Sequence, residues 1–323
     1  MRRHAFLLLL SVAGTIPVYG FELMQEGYSL QSYAQYASPT SSGRMVFDDS
    51  ENLYMGHFDD GKIIKIDSQG QTSTLVSGLS PIYDLTWGGG TAYGNFLYAS
   101  SHAGTYPDKI YQIDTNGNAS YFPMKTPNHG SCGIGIDRTG NYNNQLYVGT
   151  GSIDRIVSVS TTGSVSTFST WPGQYGGGVY GLSFDPSGKY NHKMFLANIY
   201  DDASISGLFV MNPNGTVSRF ADDFVSALDV DFDPVGMFFD NDMFVLGRTN
   251  PDAINSLWRV YTDGSCEEFM TGVSAFTFGD DGAMYVSQYN WGTQEVSISR
   301  VIPEPATLVL LAVGGVCLRR RKA

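Results

Sequence analysis

The 323-residue chain carries 31 Asp and Glu against 19 Lys and Arg, a formal net charge of −12. Aromatic residues make up 13% and Gly numbers 38, while charged residues reach only 15%. That balance excludes a disordered chain or a coiled coil and suits many short strands joined by tight turns. The acidic sign also disfavours a nucleic-acid partner, whose phosphates are bound by Lys and Arg.

In chain order, Met1-Arg2-Arg3 is a cationic start, residues 5–13 are apolar, and Val18-Tyr19-Gly20 places small residues before Phe21. This is the pattern of a secretory signal peptide over residues 1–20, set apart from the fold. A strand is expected next, residues 28–36 (YSLQSYAQY).

The body, residues 21–302, then repeats. The stretches beginning at Phe47, Gly135 and Ser183 each give a short apolar strand ending near Asp, a turn, and a second strand holding an aromatic. A third strand, a Gly turn and a fourth strand follow. The second-strand aromatics are Tyr54, Tyr98, Tyr147, Phe195, Phe244 and Tyr285, spaced by 41 to 49 residues. The last turns hold Gly70, Gly117, Gly163, Gly215 and Gly264, which permit the positive φ of a hairpin. Four strands per unit and six units predict an all-β, six-bladed β-propeller. The sixth unit has only three strands before Pro303, so the strand over 28–36 is expected to supply its fourth and close the ring. A two-sheet sandwich would not show this period.

In a propeller, alternate residues of each innermost strand face the axis. Aligning those strands gives one polar layer, Val46, Thr86, Gly135, Ser183, Asp231 and Thr277. A second layer is Arg44, Asp84, Gly133, Gly181, Asp229 and Ala275. The opposite phase is apolar. Asp84, Asp229 and Asp231 therefore gather toward one channel mouth beside Arg44. Three carboxylates with backbone carbonyls are a candidate Ca²⁺ set; the plainer alternative is that Arg44 neutralises one acid and water solvates the rest.

Loops on that face bring further ligand-face candidates: His102, His129, Trp171, Tyr180, Tyr200 and Trp291. Aromatic faces beside carboxylates suit a sugar, with a flat apolar side and hydroxyls to hydrogen-bond; rings packed between blades are the alternative. No Gly-x-Ser-x-Gly or His-Glu-x-x-His pattern occurs, and no catalytic residue is assigned. Cys132 and Cys266 lie in different units, and a bridge would need their Cα atoms within ~7 Å.

The remaining residues, 303–323, read Pro303-Glu304-Pro305, an apolar run to Leu318, then Arg319, Arg320, Arg321 and Lys322. The prolines are expected to end the preceding strand. The apolar run is expected to form a short transmembrane helix with its cations at the cytoplasmic face. Without the leader and the tail, the body keeps 13 basic residues against 30 acidic ones.

The three parts of this tail, in order, resemble the PEP-CTERM sorting signal. The resemblance covers residues 301–323. It implies export in a Gram-negative-type bacterium, retention at the inner membrane and processing by an exosortase near residues 303–305. It further implies a destination at the cell surface, outer membrane or extracellular matrix, alongside exopolysaccharide. The motifs FDPSGKYNHKMFLAN and FGDDGAMYVSQ resemble NHL-type and SMP-30-like propellers. The expected function is an exported binding module for polysaccharide or another exported protein. The alternatives are a metal-dependent lyase or lactonase-like enzyme and a non-catalytic scaffold.

Overall fold

The structure is a computed structural model, and it describes residues 20–101, 109–122, 131–150, 155–170, 178–199, 206–250 and 252–304. These residues form six antiparallel sheets and no helix, the blades of a β-propeller. Their innermost strands are Ser42–Phe47, Ile82–Trp87, Ser131–Ile136, Gly178–Phe184, Ser226–Phe232 and Ala275–Phe278, in blades one to six. The second-strand aromatics expected from the repeat all lie in second strands and are nearly or fully buried. Gly70, Gly117, Gly163, Gly215 and Gly264 all have positive φ, between 78° and 87°.

Closure follows the expected route and extends it. Tyr28–Ala37 pairs with Glu295–Pro303 as the outer strand of blade six. The short strand Glu22–Leu23 adds a fifth strand to blade five, against Cys266–Thr271. His57, 1% exposed, belongs to this closure: the Tyr36 hydroxyl lies 2.7 Å from its Nε2. Burial lowers the His57 pKa and so favours a neutral ring.

The strand of residues 295–303 is not stopped before the first proline. Pro303 pairs with Tyr28 at the strand's last position, where the absent N–H removes a single rung. The chain then continues with a hydrogen bond from the Glu304 N–H to the Gly27 carbonyl, 2.9 Å. Residues 1–19, most of the expected signal peptide, and residues 305–323, with the expected transmembrane helix, lie outside the described residues.

Neighbouring blades are clasped by a device that the repeat pattern did not reveal. In blades two, three and four, the turn between first and second strands carries a buried tyrosine: Tyr93, Tyr142 and Tyr190. The Tyr142 hydroxyl accepts from the Met194 N–H at 2.9 Å and donates to the Met211 carbonyl, both in blade four. Tyr93 does the same to Leu146 and Val159 of blade three, and Tyr190 to Met243 and Val260 of blade five. Asp137 holds the Tyr142 turn in shape by accepting N–H bonds from Thr139, Gly140, Tyr142 and Asn144. Asp185 repeats this around Tyr190.

Candidate functional site

The axis is lined by the phase expected from the alternation. Thr86, Ser183 and Asp231 are partly exposed along it, whereas Met45, Leu85, Ile134, Leu182, Val230 and Phe276 are buried. Bulges interrupt the innermost strands of blades one to five, near Arg44, Tyr83, Gly133, Tyr180 and Leu228; blade six stays regular. A bulge re-aims a side chain and frees backbone groups from the ladder. Arg44 reaches two such groups, donating to the Tyr180 carbonyl at 3.4 Å and to the Leu228 carbonyl. Gly181 has to be small: a Cβ there would lie 2.8 Å from the Asp229 Cα.

Each axial carboxylate already has partners. Asp229 pairs with Arg44 at 2.8 Å and accepts the Val230 N–H at 2.9 Å. Asp84 accepts the Leu85 N–H at 2.8 Å and, across the seam, the Ile134 N–H at 2.9 Å. Asp231 accepts from the Phe232 N–H, the Ser183 hydroxyl at 3.2 Å and the Thr277 hydroxyl at 3.3 Å. Burial raises all three above the usual carboxylate range. Asp229 is pushed up to about 6 against the pull of Arg44, and Asp231 to about 7. Asp84 is also well raised, with Arg44 opposing the shift.

These groups surround a cavity of about 340 Å³ that runs from Asp84 and Asp229 past Thr86, Ser183, Asp231 and Thr277. It reaches Asp49, Arg138, Thr139, Pro186, Pro234 and Asp280, in the turns joining first and second strands. That face lies opposite the loops expected to carry the ligand. Arg138, missed from the sequence, donates to the Trp87 and Gly89 carbonyls at 2.7 and 2.8 Å. Because it enters from a turn, strand alternation gives no signal for it.

The other candidates separate. Tyr180 lies beside Tyr83, ring centroids 5.9 Å apart, and Tyr83 meets Phe58 edge-on at 4.7 Å. Trp291 is 75% exposed on the second-to-third-strand turn of blade six, edge-on to Tyr289 and away from the cavity. His102, His129, Trp171 and Tyr200 lie outside the described residues, as do Pro305, Arg319, Arg320 and Arg321. Cys132 and Cys266 form no disulfide with each other.

Arg44 occupies Asp229, and Asp84 is committed to two N–H donors. Among the described residues, no three His, Cys, Asp or Glu side chains form a metal-holding group.

Comparison with known proteins bears on both parts of the chain. Residues 301–322 match the PEP-CTERM protein-sorting motif. That motif implies an exported protein, anchored in the membrane before exosortase processing in Gram-negative bacteria. The propeller resembles a gluconolactonase from Xanthomonas campestris, with a TM-score of 0.63 at 10% identity, covering 84% of this chain and 89% of that one. It also resembles virginiamycin B lyase from Staphylococcus aureus, with a TM-score of 0.55 at 13% identity, covering 86% and 100%. For a PQQ-bound aldose sugar dehydrogenase from Streptomyces coelicolor the TM-score is 0.59 at 13% identity, covering 88% and 98%. Identities this low establish the shared fold alone. No curated protein matches the chain by sequence.

Proposed function

We propose that the chain is an exported binding module associated with the cell surface or matrix, and that its axial cavity takes a unit of polysaccharide. The observation that carries this is the lining: hydroxyls of Thr86, Ser183 and Thr277 beside Asp231 in a cavity of about 340 Å³. Such walls offer donors and acceptors to sugar hydroxyls, and the volume is at the lower end of small-ligand sites. The sorting motif supports an extracytoplasmic partner, and two of the fold neighbours are named for action on sugars or their lactones.

The test is a glycan array probed with the exported protein and with Asp231→Asn plus Thr86→Val. Saturable binding to one glycan class, weakened in the variant, is expected. No glycan signal would turn the reading toward another exported protein as ligand. The metal-dependent lyase or lactonase alternative rests on the three axial carboxylates and the fold likeness, and metal-dependent turnover would restore it.

A further inference from the structure

The seams between blades are not filled alike; at the seam of blades one and two, Tyr54 stacks on Trp87 and the short turn of residues 48–52 adds no ring. Between blades three and four, Tyr147, Phe168 and Phe184 surround the clasp ring of Tyr142, with centroids 5.2 to 6.0 Å from it. Phe195, Phe220 and Phe232 surround Tyr190 in the same way, and Phe244, Phe269 and Phe278 surround Phe239. Between blades six and one the outer three positions recur as Tyr285, Tyr33 and Phe47. Tyr285 meets Tyr33 at 4.9 Å and Phe47 at 4.8 Å, both edge-to-face.

The fourth ring is absent. The turn of residues 279–283 is short and reads Gly-Asp-Asp-Gly-Ala, whereas residues 185–193 of blade four form a longer turn that carries Tyr190. A cavity of about 330 Å³ remains, lined by Tyr33, Tyr285 and Phe47. Its other walls are strongly acidic: Asp48, Glu51, Asp280 and Asp281 against the single cation Arg300. Asp48 is spent on Ser50, Asn52 and Tyr54, and Asp281 on Arg300 and Tyr285. Glu51 and Asp280 make no side-chain hydrogen bond or ion pair among the described residues. The Arg300 Nε is buried with no acceptor.

We propose that this seam binds a small organic ammonium bearing a hydroxyl on the neighbouring carbon, the chemistry shared by choline and by amino sugars. An aromatic box attracts an ammonium through its ring faces, and the unpaired carboxylates add to that attraction. Arg300, paired with Asp281 at 2.6 Å and 31% exposed, has guanidinium N–H groups left at the cavity wall to donate to that hydroxyl. Phe47, Asp48 and Asp280 border the axial cavity as well, but Tyr33, Glu51, Tyr285 and Arg300 line this seam alone, and the proposal does not depend on the polysaccharide reading.

Calorimetric titration of the exported protein with choline, glucosamine, glucose and 3,3-dimethylbutan-1-ol, the uncharged isostere of choline, tests this. At least one amine should bind saturably, with the isostere and glucose at least about tenfold weaker. Choline alone binding assigns a lipid-type head group; glucosamine alone assigns an amino-sugar polymer. The double variant Glu51→Gln, Tyr33→Leu, at two residues outside the axial cavity, should weaken binding about tenfold, while the surface control Asp263→Asn leaves it unchanged. Replacing residues 279–283 with residues 185–193 should fill the cavity and abolish binding; if that graft does not fold, the double variant decides. Failure of both amines, equal binding of the isostere, or full binding in the double variant would overturn the proposal.

Discussion

The clasped seams of blades two to five and the closing seam of blades six and one solve the same packing problem with different parts. In the first group a local turn delivers a ring, and in three of the four a tyrosine hydroxyl joins the next blade through two backbone groups. At the closing seam the turn is short, and the tie comes from far along the chain: Tyr33 of the closing strand donates to the Asp67 carbonyl at 2.8 Å. A seam built from local sequence can be fully filled. One closed by a distant strand keeps a cavity.

The comparison can be pressed hardest by removing residues 21–37. Blade six loses its outer strand and the apolar side chains beneath it are uncovered, so no cooperative melt should remain by circular dichroism; a sharp transition would show that the closing strand is dispensable. Next, Tyr142→Ala should cost about 3–5 kcal/mol in chemical denaturation, as a fully buried ring is lost. Tyr142→Phe should cost about 1–3 kcal/mol, because it strands the Met194 N–H and Met211 carbonyl. Tyr33→Phe, at the half-buried closing seam, should cost only about 0.5–1.5 kcal/mol. Equal losses for the two Phe variants would erase the distinction.

The axial carboxylates set a smaller effect that depends on pH. Folding raises Asp231 to about 7, so the folded chain keeps a proton that the unfolded chain releases near pH 4. Its contribution is complete below pH 4 and is lost as the pH climbs through about 7. The melting midpoint should therefore rise from pH 8 to pH 5, with Asp229 adding to the trend through about 6. Asp231→Asn should flatten that rise and raise the midpoint at pH 8; a slope unchanged in the variant would place the titration elsewhere. Smallest of all, EDTA or added Ca²⁺ should leave the midpoint where it is. A Ca²⁺ shift lost in Asp229→Asn would instead put a cation in the axial cavity.

Much of this architecture was legible because a propeller writes its period into the chain. Tyr54, Tyr98 and Tyr147 recur at the blade spacing, and the missing fourth strand of the last unit pointed to the strand near Tyr28. Strand alternation also identified Thr86, Ser183 and Asp231 as axial. What it could not carry was the turn chemistry. Tyr93, Tyr142 and Tyr190 sit outside the strands, and only the folded turn aims them into the next blade. Arg138 reaches the cavity rim from a turn for the same reason. The alignment of innermost strands did bring Arg44 beside the axial acids, but not which acid it takes: the pairing with Asp229 joins blades one and five across the axis.

The strand of residues 295–303 lies between two partners, residues 28–37 on one side and 284–290 on the other. The segment bearing the sorting motif continues directly from it. Tension applied along that segment would be carried lengthwise by the strand, loading both hydrogen-bonded ladders together in shear, where an outer strand would be peeled away one rung at a time. While the tail holds the chain in the membrane before processing, such load would enter at Pro303 and the Glu304–Gly27 hydrogen bond.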